Sequence, residues 1–335
     1  MTRDGREVDG MAPQEGSPKR KGLRLAVKLA VTVLVTWFIF RQVGVTWAEV
    51  EALELAHWSP AWGALGLAFL LLVGGLGLHA FFWGRITGAF AGLRVSGATA
   101  VRIHFTANLL RYVPGKVWQL AGLAMLAQRR GIPVRPALGA AVVSQLMTLV
   151  GASLVGAWVL VVRPGVPGAL GLAGVGVLVV LAAVACVPTV QRWVVTSGFR
   201  LARREPPPWS VDGAFGVRWI LLHTVVWGII TVGFGVLVWS FAPGVAWVGV
   251  APAYAAAYVL GYLAVFAPAG LGVREGLLVA FLAPVTGSAD AVALSVIARV
   301  WSTAAELLPA AIFAAVELKG SPPGVPPAPP TEEGA

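Results

Sequence analysis

Long apolar runs alternate along this chain with short polar segments. The runs cover about residues 23–40, 60–83, 137–162, 169–187, 215–241, 250–266 and 289–318. A transmembrane helix needs ~20 mostly apolar residues, because ~1.5 Å of rise per residue must cross about 30 Å of hydrocarbon. Two further stretches are apolar but interrupted: Asn108–Gly131 and Phe266–Pro284. The pattern predicts an all-α, polytopic helical membrane protein with about six full spans plus two broken or re-entrant hairpin elements, some seven to eight apolar segments in all. The membrane domain is expected at 23–318. Residues 1–22 and the Pro-rich tail 319–335 are too polar to bury a core and are expected to be disordered. Lys19-Arg20-Lys21 precedes the first run, and Phe40-Arg41-Gln42-Val43 follows it where a cleavage site would need small residues. An uncleaved first span is therefore expected. Trp58, Trp62 and Trp83 flank the second run as an aromatic belt would, and the remaining Trp and Tyr residues read mostly as interface anchors.

The interrupted stretches differ from the clean runs in kind. Pro114-Gly115 breaks the first, and Arg111, Lys116, Gln119, Arg129 and Arg130 punctuate it. The second is broken by Pro268-Ala269-Gly270-Leu271-Gly272, followed at once by Arg274-Glu275. A broken helix leaves N–H and C=O groups unpaired, which hydrocarbon tolerates only where the break is buried in protein or lines a wet cavity. Broken helices that carry cations are therefore candidate binding elements.

Composition supports the membrane reading. Hydrophobic residues make up 58% of the chain and charged residues 12%, against about 25% charged in soluble domains. The formal net charge of +10 is not a nucleic-acid signal here, because cytoplasmic loops of membrane proteins collect Lys and Arg. The basic region 84–135 and loop 191–218 alternate with the acidic or neutral loops 41–59, 163–168 and 242–249. This register puts both termini on the cytoplasmic side of a cell (plasma) membrane. It requires the Asn108 stretch to enter and leave on that side, and the Pro268 stretch to belong to a hairpin open to the opposite side. The lone Cys186 excludes an internal disulfide. His57, His79, His104 and His223 have no partner at metal-ligand spacing. The common soluble catalytic fingerprints are missing too, so no metal, cofactor or enzymatic constellation is predicted.

Pro114 and Pro268 lie 154 residues apart (268 − 114). Around each, the order is span, broken amphipathic stretch, long span, and one span separates the two units. The second unit therefore starts on the opposite side, as in inverted-repeat transporters. The units are expected at about 60–162 and 215–318.

Several residues are candidates for chemistry. Arg274 beside the exposed donors of a new helix start suits an anionic group such as phosphate, although a solvated turn would look the same. Glu275 at that start also fits dipole stabilisation. Arg299 and Glu306 share one face of the last span and serve either a ligand or a structural ion network. Arg111 and Lys116 flank Pro114 as phosphate ligands or as ordinary positive-inside anchors. Asn108 opens the first broken stretch, and Gln145 occupies the position that matches Arg299 in the repeat.

Asn-Leu-Leu-Arg-Tyr-Val-Pro-Gly-Lys-Val-Trp (108–118) and Pro-Ala-Gly-Leu-Gly-Val-Arg-Glu-Gly (268–276) resemble the paired motifs of the lysylphosphatidylglycerol synthase transmembrane family, also called flippase-like domain proteins. Arg299 and Leu308-Pro309 fit the same pattern. The resemblance implies a stand-alone membrane domain without the aminoacyl transferase, moving an anionic or aminoacylated phospholipid, or a lipid-linked sugar or other glycolipid, between leaflets. It implies as an alternative a non-catalytic scaffold for a separate membrane-associated transferase or glycosyltransferase. Where the family usually carries Glu-Arg in the span after the first motif, this chain has Ser144-Gln145.

Overall fold

The computed structural model describes residues 60–112, 117–159, most of 176–201, 205–206, 214–264 and 272–320. Among these the regular structure is helical throughout, without a strand. The helices are α1 (Trp62–Ala91), α2 (Gly97–Asn108), α3 (Val117–Arg129), α4 (Val134–Gly156), α5 (Pro188–Leu201), α6 (Phe215–Phe241), α7 (Trp247–Leu263), α8 (Val273–Thr286) and α9 (Ser288–Gly320). A short 3₁₀ turn, Leu109–Tyr112, follows α2.

Among the described residues four helices are long and apolar enough to cross a membrane: α1, α4, α6 and, in α9, the part Ser288–Phe313. They correspond to the second, third, fifth and last predicted spans. The first predicted span lies outside the described residues, and the fourth does so for most of its length. The remaining helices near the core are shorter. With 12, 13, 17 and 14 residues, α2, α3, α7 and α8 run only about 18–26 Å at 1.5 Å per residue. None matches the ~20 residues of a full crossing. They form two pairs, α2 with α3 and α7 with α8, and the Pro114 and Pro268 breaks fall between the members of each pair.

The bundle directions follow from a few bonds. Ala61 donates its N–H to the carbonyl of Ser240, so α1 starts beside the last turn of α6 and the two run antiparallel. The Trp83 indole N–H donates to the carbonyl of Ala137, which sets the first turns of α4 against the second half of α1. The α2/α3 pair connects the end of α1 to the start of α4, and so enters from that end. The α7/α8 pair connects the end of α6 to the start of α9 and enters from the other. The predicted opposition of two broken elements is thus present in the fold. The core between them is apolar and closely packed, with Phe90, Phe105, Phe234, Met147, Leu237 and Leu282 among its largest buried side chains. At one crossing backbones nearly touch: a Cβ built on Gly151 in α4 would lie 2.8 Å from the Thr224 nitrogen and 2.9 Å from the His223 carbonyl carbon in α6.

Three sequence expectations change. The second span does not stop near Trp83. Nothing breaks the helix until Gly92, which closes it at φ 65°, and Trp83 is a buried core residue rather than an interface anchor. Trp219, Trp227, Trp301 and Tyr254 are buried likewise, whereas Trp62 is 75% exposed, as a belt residue should be. Finally, the basic loop after residue 190 begins as helix α5. Its Val195 and Phe199 are buried while Arg192, Trp193 and Arg200 are exposed. This amphipathic pattern is short and flanked by prolines, so the charges mask it in a linear reading.

Candidate functional site

The second hairpin organises the site. Gly272 adopts φ 79°, a left-handed conformation in which a side chain would be strained. That turn starts α8, and Glu275 in its first turn reaches back so that one carboxylate oxygen accepts the Gly272 N–H at 2.7 Å. Its other oxygen lies 3.3 Å from an Arg299 guanidinium nitrogen on α9. Both side chains are mostly buried, 16% and 24% exposed. Glu275 therefore caps α8 and ties it to α9. Arg299 has this carboxylate as its partner.

Arg274 has a different environment. Its guanidinium carbon sits 4.4 Å from the Tyr254 ring centroid and 5.6 Å from that of Tyr258, within cation–π range of both. These tyrosines are one turn apart on α7 and present their faces together. Tyr258 also stacks near Tyr262 at 6.2 Å. The rings hold the cation in place while leaving its N–H groups available.

Arg274 lines a cavity of about 290 Å³ that both hairpins border. Gln119, Leu120 and Leu123 come from α3, and His104 from α2. Tyr258, Gly261 and Tyr262 come from α7. His79 and Trp83 of α1, and Ser144 and Gln145 of α4, complete most of the wall. Gln145 donates weakly to the Tyr258 hydroxyl at 3.5 Å. Ser144 is buried, and its Oγ has no hydrogen-bond partner. Such a group is costly in an apolar setting unless a ligand or water meets it.

At the α1 side three imidazoles converge. The His79 ring is 5.4 Å from His104 and 5.2 Å from His223, edge-on to each. Thr148 Oγ1 lies 3.1 Å from His79 Nδ1. His223 Nδ1 faces the Trp219 carbonyl at 2.7 Å; a carbonyl only accepts, so that nitrogen carries a hydrogen. Among the described residues no group of three His, Cys, Asp or Glu is arranged to hold a metal ion, and no cofactor-binding element is recognisable there.

Of the residues singled out from sequence, Arg274 and Gln145 meet at the cavity. Glu275 and Arg299 pair just behind it. Glu306 is 8% exposed on α9 and does not line it. The Asn108 side-chain oxygen is also committed, since it accepts from Gln119 Nε2 at 2.6 Å and so joins the two limbs of the first hairpin. Arg111 contributes its backbone to the 3₁₀ turn. Its side chain, and Lys116 altogether, lie outside the described residues. Sequence reasoning gave no site role to Tyr258 and Tyr262, weighed His79 and His104 only as metal ligands, and noted Ser144 only as a departure from the family pattern. The available signal was polar side chains inside spans, which are seldom placed there without a role; the search for charged residues and metal spacings overlooked neutral ones.

The model of the lysylphosphatidylglycerol synthase TM region matches residues 25–310. The chain belongs to that family. No curated protein matches it. As a member of the lysylphosphatidylglycerol synthase transmembrane family with several span-length helices, it is a multi-pass membrane protein of a family tied to lipid modification or translocation. Both broken hairpins and the cavity between them fall inside the matched region.

Proposed function

We propose that the chain moves a lipid headgroup between leaflets through the cavity bordered by its two hairpins, while the acyl tails remain in hydrocarbon. The observation that carries this reading is the position of Arg274: a cation held over Tyr254 and Tyr258 and lining a largely apolar cavity with a few polar groups in its wall, between half-length helix pairs that enter from opposite ends. Inverted-repeat transporters place their sites at broken helices of this kind. A phosphate gains charge-assisted hydrogen bonds from Arg274, and the neutral amides and hydroxyls of the wall take the remainder of the headgroup. With the basic segments on the cytoplasmic side, the α2/α3 hairpin faces the inner leaflet and the α7/α8 hairpin the outer. Arg111 and Lys116 then stand on the inner approach.

The test is transport in reconstituted vesicles, read as chemical quenching of tail-labelled phosphatidylglycerol reaching the outer leaflet. Arg274→Ala is expected to slow exchange at least ten-fold. Arg299→Ala, measured alongside with a thermal-stability control, is expected to act mainly through folding. Unchanged exchange in the Arg274→Ala/Arg299→Ala double variant refutes the site.

A further inference from the structure

The chemistry of the cavity wall goes beyond "a lipid headgroup", and the step rests on the reading just proposed. No Asp or Glu occurs anywhere between Glu54 and Glu205, so α1 to α5 carry no carboxylate, and α7 carries none either. The segments between the limbs of the two hairpins, 113–116 and 265–271, are equally free of acids. Among the described residues, Glu275 is the carboxylate next to Arg274 in sequence; its oxygens are taken by the Gly272 N–H and Arg299, and it is not part of the wall. What the wall offers is one guanidinium, two side-chain amides (Gln119 and Gln145), the imidazoles of His79 and His104, the buried and unpartnered hydroxyl of Ser144, and the faces and hydroxyls of Tyr258 and Tyr262.

A headgroup ammonium would therefore enter a site beside Arg274 whose described wall holds no carboxylate to balance it, an arrangement penalised as an unpaired buried ion. A hydroxyl-bearing headgroup finds amides and hydroxyls that both donate and accept, with aromatic faces for its C–H surface. The volume of about 290 Å³ lies at the lower end for small-molecule sites, which suits a headgroup and not a whole lipid. We infer that this site selects a phosphodiester carrying an uncharged, hydroxyl-rich group, and discriminates against headgroups with a free amine. Ser144 and Gln145 of α4 supply part of this wall with uncharged hydrogen-bonding groups.

The experiment uses the purified full-length chain in nanodiscs. Tail-labelled phosphatidylglycerol is displaced by short-chain phosphatidylglycerol, phosphatidylinositol, phosphatidylethanolamine or lysyl-phosphatidylglycerol. The two hydroxylated anionic lipids are expected to compete at least ten-fold better than the two amine-bearing ones. Their order relative to each other tells glycerol from a ring polyol. Gln145→Glu, which places a carboxylate in the wall, is expected to erase that advantage. The wild-type ranking decides the matter even if this variant folds poorly, and Tyr258→Phe, expected to weaken the hydroxylated lipids alone, gives a second reading. If lysyl-phosphatidylglycerol competes as well as phosphatidylglycerol while Arg274→Ala weakens all four, the amine discrimination is wrong and the headgroup site stands. If Arg274→Ala and Gln145→Glu, both folded, change nothing for any lipid, the headgroup reading itself fails.

Discussion

Glu275 makes two bonds with its two oxygens, and removing it separates them experimentally. In Glu275→Ala the Gly272 N–H loses its acceptor at 2.7 Å and Arg299 loses its partner at 3.3 Å. Losing a capping interaction costs about 0.5–2 kcal/mol. Breaking a fully buried ion pair costs about 3–5 kcal/mol; exposures of 24% and 16% put this pair below that range, at about 1–3 kcal/mol. The sum is a loss of about 1.5–5 kcal/mol for the alanine variant. Glu275→Gln keeps an oxygen that can accept from Gly272 but gives up the ion pair, so it should lose only about 1–3 kcal/mol. The assay is reversible unfolding of the full chain in mixed micelles by titration with a denaturing detergent, followed by circular dichroism. A cycle of Glu275→Gln, Arg299→Gln and the double variant isolates the pair, with an expected coupling of about 1–2 kcal/mol. Additive single losses refute the pairing of α8 with α9. A glutamine variant as unstable as the alanine variant refutes the capping role.

Other consequences are as specific. Gly151→Ala should destabilise the bundle by about 1–3 kcal/mol through overpacking at the α4–α6 crossing, where the new Cβ meets backbone that cannot rotate away; the same unfolding titration reads it. Trp83→Phe keeps a buried ring but removes the indole N–H that donates to the Ala137 carbonyl, at a cost of about 0.5–1.5 kcal/mol by that titration. In brominated-lipid vesicles, a chain retaining only Trp62 or Trp193 should be strongly quenched, since these are 75% and 68% exposed, whereas one retaining only Trp83, 1% exposed, should not be.

The span-forming parts of the fold were legible because a run of apolar residues has one stable solution in hydrocarbon. Phe215–Phe241 was delimited from sequence to the residue. The helix ends beside Pro114 and Pro268 were legible too, since proline next to glycine disfavours a continuous helix, although Pro252, Pro284 and Pro309 lie inside α7, α8 and α9. Less visible was how each charge would be spent. Arg274, Glu275 and Arg299 look alike in a linear reading, yet one faces the cavity and two neutralise each other. That division depends on the rotation of α8 about its axis, which the Gly272 turn sets and no local pattern announces. The neutral wall was hidden for a related reason. His79, Ser144 and Tyr258 lie in segments whose mean character is apolar, and only packing shows that they point toward one space.

The two hairpins also differ in what their polar ties connect. The Asn108–Gln119 bond runs between the two limbs of the α2/α3 pair, so it travels with that pair. The Glu275–Arg299 contact runs from the α7/α8 pair to α9, so that pair cannot shift against α9 without parting opposite charges in a medium that solvates neither. One bond is a brace within a hairpin; the other is a latch between a hairpin and α9. Two hairpins tied this way are not mechanically equivalent. A rigid-body step by the first hairpin leaves its brace intact. A step by the second is favourable only when something else, such as an arriving anion, takes over Arg299.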